Sequence, residues 1–255
     1  MLFDSIIYGP IHSRRLGVSL GVNLMPTNVK LCSFNCIYCE CGFNQPADHP
    51  RLPSRQQVAQ QLEQKLIELN AQQITPDVIT FSGNGEPTMH PDFLNIITDT
   101  CNLRNHYFPN AKVSVLSNST QLFRNDVRQA LMMADNRILK LDSAIDSTMQ
   151  LIDQPVNPNL TVKQITDYLR FFKGDFTLQT CFLRGTVGNK KVDNTTDTEL
   201  QAWLDILPVI QPRNIMIYVI DRTTPVPTLE KIAPEKMNHI AESARALGFA
   251  VSVSL

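Results

Sequence analysis

Short runs of apolar, β-branched residues alternate along this chain with longer stretches whose apolar residues recur at helical spacing. The apolar runs predict seven strands, near residues 18–24, 78–82, 112–118, 137–142, 176–182, 214–220 and 250–254. Ser54 is expected to cap a helix over residues 56–69, and prolines at 91 and 234 are expected to begin two later helices, the last of which ends at Gly248. Strands that alternate with helices are typical of βα units and a parallel sheet, so the pattern predicts an α/β fold.

Composition narrows the class of protein. The chain has 255 residues, of which 43% are hydrophobic and 18% charged, so it can bury a full core and is expected to form one domain over residues 1–255. It has neither a basic leader at its start nor eighteen consecutive apolar residues, which predicts a soluble, cytoplasmic protein. A formal net charge of -1 gives the molecule no general attraction to nucleic acid.

Three cysteines, Cys32, Cys36 and Cys39, stand close together with three and then two residues between them. Cysteine thiolates are the usual protein ligands of iron–sulfur clusters. Three such ligands can hold three irons of a cubane cluster and leave the fourth iron open to a small molecule. The spacing therefore indicates a cluster that takes part in chemistry.

A zinc site, an electron-transfer cluster and a disulfide framework are the alternative roles for these cysteines. A structural zinc site usually takes four ligands in two separated pairs, whereas Cys101 and Cys181 stand alone in a predicted helix and a predicted strand. Cys41 is near enough to serve as a fourth ligand, which would give a cluster used only for electron transfer. Six cysteines in a chain of this length are sparse for a disulfide framework, and a reducing compartment is expected.

The cysteine motif, with Tyr38 just before its last member, resembles the signature of the radical S-adenosylmethionine (SAM) enzymes. This resemblance implies a 4Fe-4S cluster held by Cys32, Cys36 and Cys39, S-adenosyl-L-methionine as the second cofactor, and a cofactor contact from Tyr38. It also implies a partial (β/α)6 TIM-like barrel, with the cluster loop over about residues 25–50 after the first strand. In barrels of this kind the site lies at the C-terminal ends of the strands.

The segment that follows the second predicted strand is similar to the family's Gly-Gly-Glu-Pro element, which holds the amino group of the cofactor's methionine. The resemblance implies cofactor contacts from Ser82, Gly83, Asn84, Gly85 and Glu86, although Asn84 interrupts the glycine pair. Glycines at such a turn allow close approach to the backbone. The alternative is an ordinary strand-to-helix turn.

Polar residues also lie on the next three predicted strands or at their ends. Ser117 and Asn118 are expected to bind the cofactor's carboxylate or ribose, while the neighbouring Ser119 is an alternative helix N-cap. Lys140 and Asp142 share one face of the fourth strand and are assigned catalytic roles, with Asp142 also contacting the cofactor; the alternative is a buried ion pair that only fills the barrel. Gln179 on the fifth strand is a further expected cofactor contact.

Together with residues 8–10 and 13–17, these motifs are similar to short iron–sulfur oxidoreductases related to tRNA wyosine-base synthases. No cysteine precedes Cys32, so one cluster is expected. The implied activity is reductive cleavage of SAM to a 5'-deoxyadenosyl radical that abstracts hydrogen from a substrate, with electrons from a flavodoxin or ferredoxin type of donor. A non-catalytic electron-transfer module is the alternative from another functional class.

The sequence leaves three alternatives for the substrate: tRNA, a peptide or protein, and a glycyl-radical enzyme. A large substrate is expected to enter at the open face of the barrel. If it is RNA, the candidate phosphate contacts are basic residues in two segments, namely Arg14, Arg15, Arg184, Lys190 and Lys191.

Overall fold

The computed structural model describes residues 2–13, 15–46 and 50–255, so Arg14 and residues 47–49 of the predicted cluster loop lie outside the described residues. The chain divides into two compact units. The first comprises Met1–Cys32, Asn44–Ser117 and Gln121–Arg137, and the second comprises Ser33–Phe43, Asn118–Thr120 and Ile138–Leu255. The expectation of one radical SAM domain over residues 1–255 stays a prediction.

Among its described residues, the first unit contains four strands and three α-helices. Its strands are β1 (Ile7–Ser13), β2 (Gly17–Val22), β3 (Val78–Phe81) and β4 (Lys112–Ser117). Its helices are α1 (Arg55–Ala71), α2 (Phe93–Tyr107) and α3 (Asn125–Met133). Strands β2, β3 and β4 are parallel neighbours, whereas β1 runs antiparallel to β2. Strand β1 was not predicted. The loop that carries Cys32, Cys36 and Cys39, called the cysteine loop below, therefore follows the second strand of the chain instead of the first.

Local sequence explains how the helices of this unit begin. Ser54 caps α1 as predicted, because its hydroxyl accepts from Gln57 N–H while the Gln57 side chain accepts from the Ser54 backbone. Helix α2 begins at Phe93, whose ring lies edge-on to Phe81 of β3 with centroids 6.2 Å apart. Every residue of β3 is buried, as expected for a strand of a parallel sheet covered on both faces.

The second unit has parallel strands that alternate with helices. In chain order its elements are β5 (Asn136–Lys140, from Ile138 onward in this unit), α4 (Asp146–Asp153), α5 (Val162–Leu169), β6 (Thr177–Val187), β7 (Lys190–Asp193), α6 (Asp197–Ile210), β8 (Asn214–Val219), β9 (Glu230–Lys231), α7 (Pro234–Ala246) and β10 (Ala250–Ser254). The parallel order is β5, β6, β8, β10. The long end of β6 pairs antiparallel with both β7 and β9.

The register of the parallel strands in this unit separates the side chains into two faces. Lys140 is paired in register with Gln179, and Gln179 with Met216, so these three side chains lie in one row on the same face. The intervening row, which includes Leu139 and Leu178, is apolar and buried. The sequence pattern thus places the polar candidates on one face of the sheet.

All seven predicted strands are present, with ends that differ by one or two residues except in β6, which continues to Val187. The short strands β7 and β9 were not predicted because they pair only with this extension. Within the described residues, no helix combines the length and the apolar character needed to cross a membrane.

Candidate functional site

The start of the cysteine loop is fixed by the turn that follows β3. Leu31, just before Cys32, forms a parallel bridge with Gly85: its N–H donates to Asn84 O at 2.9 Å, and its carbonyl accepts from Glu86 N–H at 3.3 Å. Gly85 has φ +148°, and a Cβ there would overlap Leu31 O. The glycine is therefore required for the approach of the chain just before Cys32.

Cys32 itself is held by Asn44, which sequence reasoning did not select. The Cys32 N–H donates to Asn44 Oδ1 at 3.1 Å, and Asn44 Nδ2 donates to Cys32 O at 2.8 Å. The side chain of Asn44 thus pairs with the Cys32 backbone from the far end of the loop, in the manner of a neighbouring strand.

Asn84 is wholly buried and bound by protein groups. Its side chain accepts from Phe3 N–H at 2.8 Å and donates to Phe3 O at 2.7 Å and to Pro26 O at 2.8 Å. Its backbone N–H donates to Asn23 Oδ1 at 3.0 Å. The predicted contact from Asn84 to a cofactor stays a prediction, but in this structure its side chain ties the N-terminal segment to the loop.

Asn23, at the end of β2, was also missed by sequence reasoning. Its Oδ1 accepts from the N–H groups of Met25 and Asn84, and it fills the space that a side chain on Gly83 would need. Its Nδ2 is buried and has no hydrogen-bond partner within the part of the chain that the structure describes. Such an orphaned donor suits a bound molecule that offers an oxygen. A polar residue at a predicted strand end was the available signal.

Glu86 places a buried carboxylate in the turn that follows β3. Its Oε1 accepts from Thr88 N–H at 3.1 Å, from the Thr88 hydroxyl, and from Ser117 Oγ at 2.9 Å. Ser82 shares a hydrogen bond of 2.8 Å with Tyr8 OH. The structure therefore brings the predicted residues Glu86 and Ser117 together.

In the second unit the centre of the candidate site is the ammonium of Lys140. Its Nζ lies 2.9 Å from Cys36 Sγ and 3.1 Å from Asp142 Oδ2, and it also donates to Asp153 Oδ1. An ammonium has three N–H donors, and here there are three acceptors. The rings of Phe34 and Tyr38 lie within 4.9 and 5.1 Å of the same nitrogen.

Asp142 is fully enclosed by donors. Tyr38 OH donates to its Oδ2 at 2.5 Å, and the Cys181 N–H donates to its Oδ1 at 2.9 Å. Asn194 Nδ2 donates to the carbonyls of both Asp142 and Cys181 at 2.8 Å, which fixes this part of the chain. The contacts bring together three predicted residues, Tyr38, Lys140 and Asp142.

Burial perturbs the pKa values in this group. Burial, reinforced by the neighbouring Asp142, raises the pKa of Tyr38, so the phenol keeps the proton that it donates. Burial by itself would lower the pKa of Lys140, but the two carboxylates Asp142 and Asp153 outweigh it and raise that pKa. Burial raises the pKa of Asp153 to about 7, against the opposing effect of Lys140.

Backbone hydrogen bonds join the rest of the cysteine loop to the end of α4. The Asn35 N–H donates to Asp153 O and the Ile37 N–H to Ile152 O, both at 2.9 Å, while the Val156 N–H donates to Ser33 O at 2.9 Å. Beyond this segment the Cys39 N–H donates to Cys36 O at 3.1 Å. Sequence reasoning missed Asp153 because it lies at a helix end and not on a strand.

Two further predicted contacts lie in the second unit. Asn118 Nδ2 donates to Ser33 Oγ at 2.8 Å, next to the cysteine loop. Ser119 donates to Lys140 O instead of capping a helix, since α3 begins only at Asn125. Gln179 is buried beside Lys140 in the sheet, and its Nε2 has no hydrogen-bond partner among the described residues.

The basic residues expected to contact phosphate give a mixed result. Arg184 is paired with Glu230 at 2.8 Å, while Lys190 and Lys191 are exposed on β7. A cavity of about 500 Å³ lies near the start of α6, and its lining includes positively charged, negatively charged, polar and apolar side chains. The lining residues are Arg184, Asp193, Thr195, Thr196, Asp197, Ile232, Ala233 and Lys236. Of the residues predicted to contact phosphate, Arg184 lines it, but none of the predicted cofactor or catalytic residues does.

The donor chemistry fits the implied cofactors. In the described part of the chain, no set of three His, Cys, Asp or Glu side chains is gathered as a metal site. Three thiols at this spacing are nevertheless the ligand type that iron–sulfur clusters take. The amide donors of Asn23 in the first unit and Gln179 in the second have no partner in the described parts of the chain and are suited to oxygen atoms of a polar ligand.

No family model matches the chain. It is 30% identical over 236 residues to a protein named GTPase Obg of Brachyspira hyodysenteriae, covering 91% of this chain and 32% of that protein. It is 28% identical over 219 residues to a UPF0026 protein of Helicobacter pylori, covering 85% and 67%. It is 30% identical over 240 residues to UPF0026 protein slr1464 of Synechocystis sp., covering 91% and 81%. The chain thus spans about a third of the first relative's length.

Solved structures identify the fold. A radical SAM methyltransferase from Sphaerobacter thermophilus matches 92% of this chain and 65% of its own, with a TM-score of 0.66 at 13% identity. Streptococcus suis SuiB bound to S-adenosylmethionine matches 92% and 50%, with a TM-score of 0.64 at 12% identity. TYW1 with a lysine-pyruvate adduct matches 89% and 73%, with a TM-score of 0.60 at 12% identity. The predicted fold class, an α/β partial barrel of the radical SAM type, is confirmed.

Proposed function

The chain belongs to the UPF0026 family, and we propose that it is a radical SAM enzyme whose single 4Fe-4S cluster is held by Cys32, Cys36 and Cys39. The observation that carries this proposal is the three-cysteine motif in a chain with the radical SAM fold. When bound, the cluster and SAM supply a one-electron cleavage of the sulfonium, which gives methionine and a 5'-deoxyadenosyl radical for hydrogen abstraction.

The residues of this chain would bind, orient and shield these groups. In the first unit we assign SAM binding to the loop of Ser82, Gly83, Asn84, Gly85 and Glu86, to Ser117, and to the Nδ2 of Asn23, which has no hydrogen-bond partner among the described residues. Glu86 and Asn84 would act mainly by shaping the loop, since protein groups already engage their side chains. The backbone of Ser82 and Gly83 would face the ligand.

In the second unit we assign ligand contacts to Tyr38, Asn118 and Gln179. Gln179 offers the clearest one, because its Nε2 is buried without a partner in the described structure. Lys140 and Asp142 form the charged pair next to Cys36, and we assign them the catalytic positions of the proposal. Asp142 holds Tyr38 by its phenol and Lys140 by its ammonium.

The electron donor would be an external one-electron carrier of the flavodoxin or ferredoxin type. For the substrate we favour a peptide or protein over tRNA. The supporting observations are the net charge of -1, which gives no general attraction to a phosphate backbone, and the pairing of Arg184, one of the candidate phosphate contacts, with Glu230. One of the structural neighbours, SuiB, is described with its precursor peptide bound.

The substrate preference makes a measurable demand. Binding to RNA by counterion release weakens steeply as salt concentration rises. We expect the reconstituted protein to show no such salt-sensitive RNA binding. Two results together would contradict the preference and support tRNA modification. The protein would bind tRNA tightly and more weakly as salt rises, and this salt dependence would decrease when Lys190 and Lys191 are replaced by Ala.

The proposed chemistry is tested by anaerobic reconstitution with iron and sulfide, followed by analysis of iron content, electron paramagnetic resonance (EPR) and 5'-deoxyadenosine formation. Four irons per chain are expected for the wild type, as the proposed cluster requires. An EPR signal that changes on addition of SAM is also expected. Replacement of Cys32, Cys36 or Cys39 by Ala should abolish the cluster.

Two matched controls separate the alternatives. Cys101→Ala changes a cysteine in α2 and should load iron normally. Cys41→Ala should also load normally, and loss of its cluster would instead support a four-cysteine electron-transfer module. A loaded wild type whose EPR signal ignores SAM and which forms no 5'-deoxyadenosine would refute radical SAM chemistry.

A further inference from the structure

Asp153 is a buried carboxylate that sequence reasoning did not connect with the cysteines. It is the last residue of α4, and its side chain is 2% exposed. Its Oδ1 accepts from Lys140 Nζ and lies 3.5 Å from Cys36 Sγ. A carboxylate at this depth carries a large desolvation cost, so its surroundings must compensate for it.

The position of Asp153 is set by the cysteine loop itself. Its carbonyl accepts from Asn35 N–H at 2.9 Å, and the carbonyl of the preceding Ile152 accepts from Ile37 N–H at the same distance. These two backbone bonds stand on either side of Cys36 in the sequence. The carboxylate is therefore tied to the backbone that carries the proposed cluster ligand.

Lys140 completes the arrangement from the sheet. Its Nζ donates toward Cys36 Sγ at 2.9 Å, while Asp142 holds the same nitrogen from the other side at 3.1 Å. Thus one positive and one negative side chain both contact the sulfur of a single proposed ligand. Hydrogen bonds and charges at the sulfur ligands are among the factors that set the reduction potential of an iron–sulfur cluster.

We propose that Lys140 and Asp153 form a charge pair that tunes the cluster potential through Cys36, with Lys140 raising the potential and Asp153 lowering it. This inference rests on the proposed function. An ammonium that donates to a thiolate stabilises the additional negative charge of the reduced cluster. A carboxylate at the same sulfur opposes that charge. Both are positioning residues in this role, since they act through Cys36.

The test is an anaerobic redox titration of the reconstituted protein without SAM, followed by EPR, at mildly alkaline pH. Lys140→Met should shift the midpoint potential downward because the donor and the positive charge are lost. Asp153→Asn should shift it upward because a negative charge is lost while an acceptor for Lys140 is retained. A general loosening of the site would not give shifts of opposite sign.

Glu199→Gln is the matched control. Glu199 is a buried carboxylate of the same unit that accepts from Ser143 Oγ at 2.7 Å and from Thr148 Oγ1 at 2.5 Å. Its neutralisation makes the same chemical change as Asp153→Asn, but none of its described contacts is to a cysteine. Its potential should equal that of the wild type.

Lys140→Met leaves two carboxylates without their cation, so the double variant Lys140→Met/Asp153→Asn provides a second measurement. Its potential should lie below that of Asp153→Asn alone. Equal potentials for these two proteins, shifts of the same sign in the single variants, or an unchanged Asp153→Asn potential would each overturn the inference. A wild type that holds no cluster would instead refute the proposed function, and the inference with it.

Discussion

Gly85→Ala should dislocate the start of the cysteine loop, although it adds only one methyl group. Gly85 has φ +148°, a conformation that residues with a side chain essentially do not adopt. The new Cβ would overlap Leu31 O, which is backbone and cannot rotate away. The chain at Leu31 must therefore move, and Cys32 follows it directly in sequence.

The loss of stability has two parts, broken hydrogen bonds and backbone strain. Moving Leu31 breaks two backbone hydrogen bonds, of 2.9 and 3.3 Å, which are worth roughly 1 kcal/mol each. Backbone strain at the glycine adds about 1 to 3 kcal/mol. We therefore expect the free energy of unfolding to fall by about 3 to 5 kcal/mol, the sum of these contributions.

The assay is urea unfolding of the reduced, metal-free protein, with Gly188→Ala as the control. Gly188 also has positive φ, +57°, but no atom lies within 4 Å of a Cβ built there, so only the left-handed backbone cost of about 1 to 2 kcal/mol applies. Reconstituted Gly85→Ala should also hold less iron than Gly188→Ala. Equal stability of the two variants would refute the close approach at Leu31.

Two further predictions concern stability elsewhere. Burial lowers the pKa of His90, whose Nδ1 accepts from Asp92 N–H and whose Nε2 pairs with Pro53 O. The unfolded chain therefore binds a proton near pH 6.5 that the folded chain does not. The free energy of unfolding should therefore fall as pH drops below about 6.5, the usual pKa of histidine. In urea unfolding, His90→Gln should lessen this fall. An equal dependence of stability on pH in the wild type and the variant would contradict the reasoning. Asn194→Ala removes the hydrogen-bond partner of three backbone groups and should lower the free energy of unfolding by about 3 to 5 kcal/mol. The control Asn157→Ala loses one exposed hydrogen bond and should lower it far less. Similar losses of stability in the two variants would argue against the role of Asn194.

Most of the fold could be predicted from periodicity. Strand β3 is buried throughout, β4 is buried at four of its six residues and β8 buries alternate residues, and these largely apolar runs are why the three strands were found nearly to the residue. Strand β1 was missed because its residues, from Ile7 to Ser13, are mostly half-buried or exposed, interrupted by Gly9 and Pro10. Its pairing with β2 is a tertiary contact that no local pattern encodes.

The candidate site was predictable where its residues end strands. Lys140 and Asp142 were placed on one face by alternation alone, and the structure shows them in contact at 3.1 Å. Asp153 was not predictable in this way, because it reaches the cysteine loop from a distant part of the sequence. Asn44 was not predictable because it lies on no strand and pairs with Cys32 from the far end of the loop. For Gly85 the residue was noticed, but its contact is with Leu31 of the chain itself.

The buried charges around Lys140 are difficult to explain by stability. Moving one ammonium and two carboxylates out of water costs several kcal/mol for each ion, and replacement of such groups by apolar side chains of similar size is often neutral or stabilising. In the fold described here, the Leu139 and Leu178 row shows that the same sheet builds an apolar face without difficulty. Perturbed ionisable groups that collect at one place are typical of functional sites. Cys36 Sγ lies within 3.5 Å of both Lys140 Nζ and Asp153 Oδ1. We therefore infer that these charges act on the sulfur that we propose as a cluster ligand.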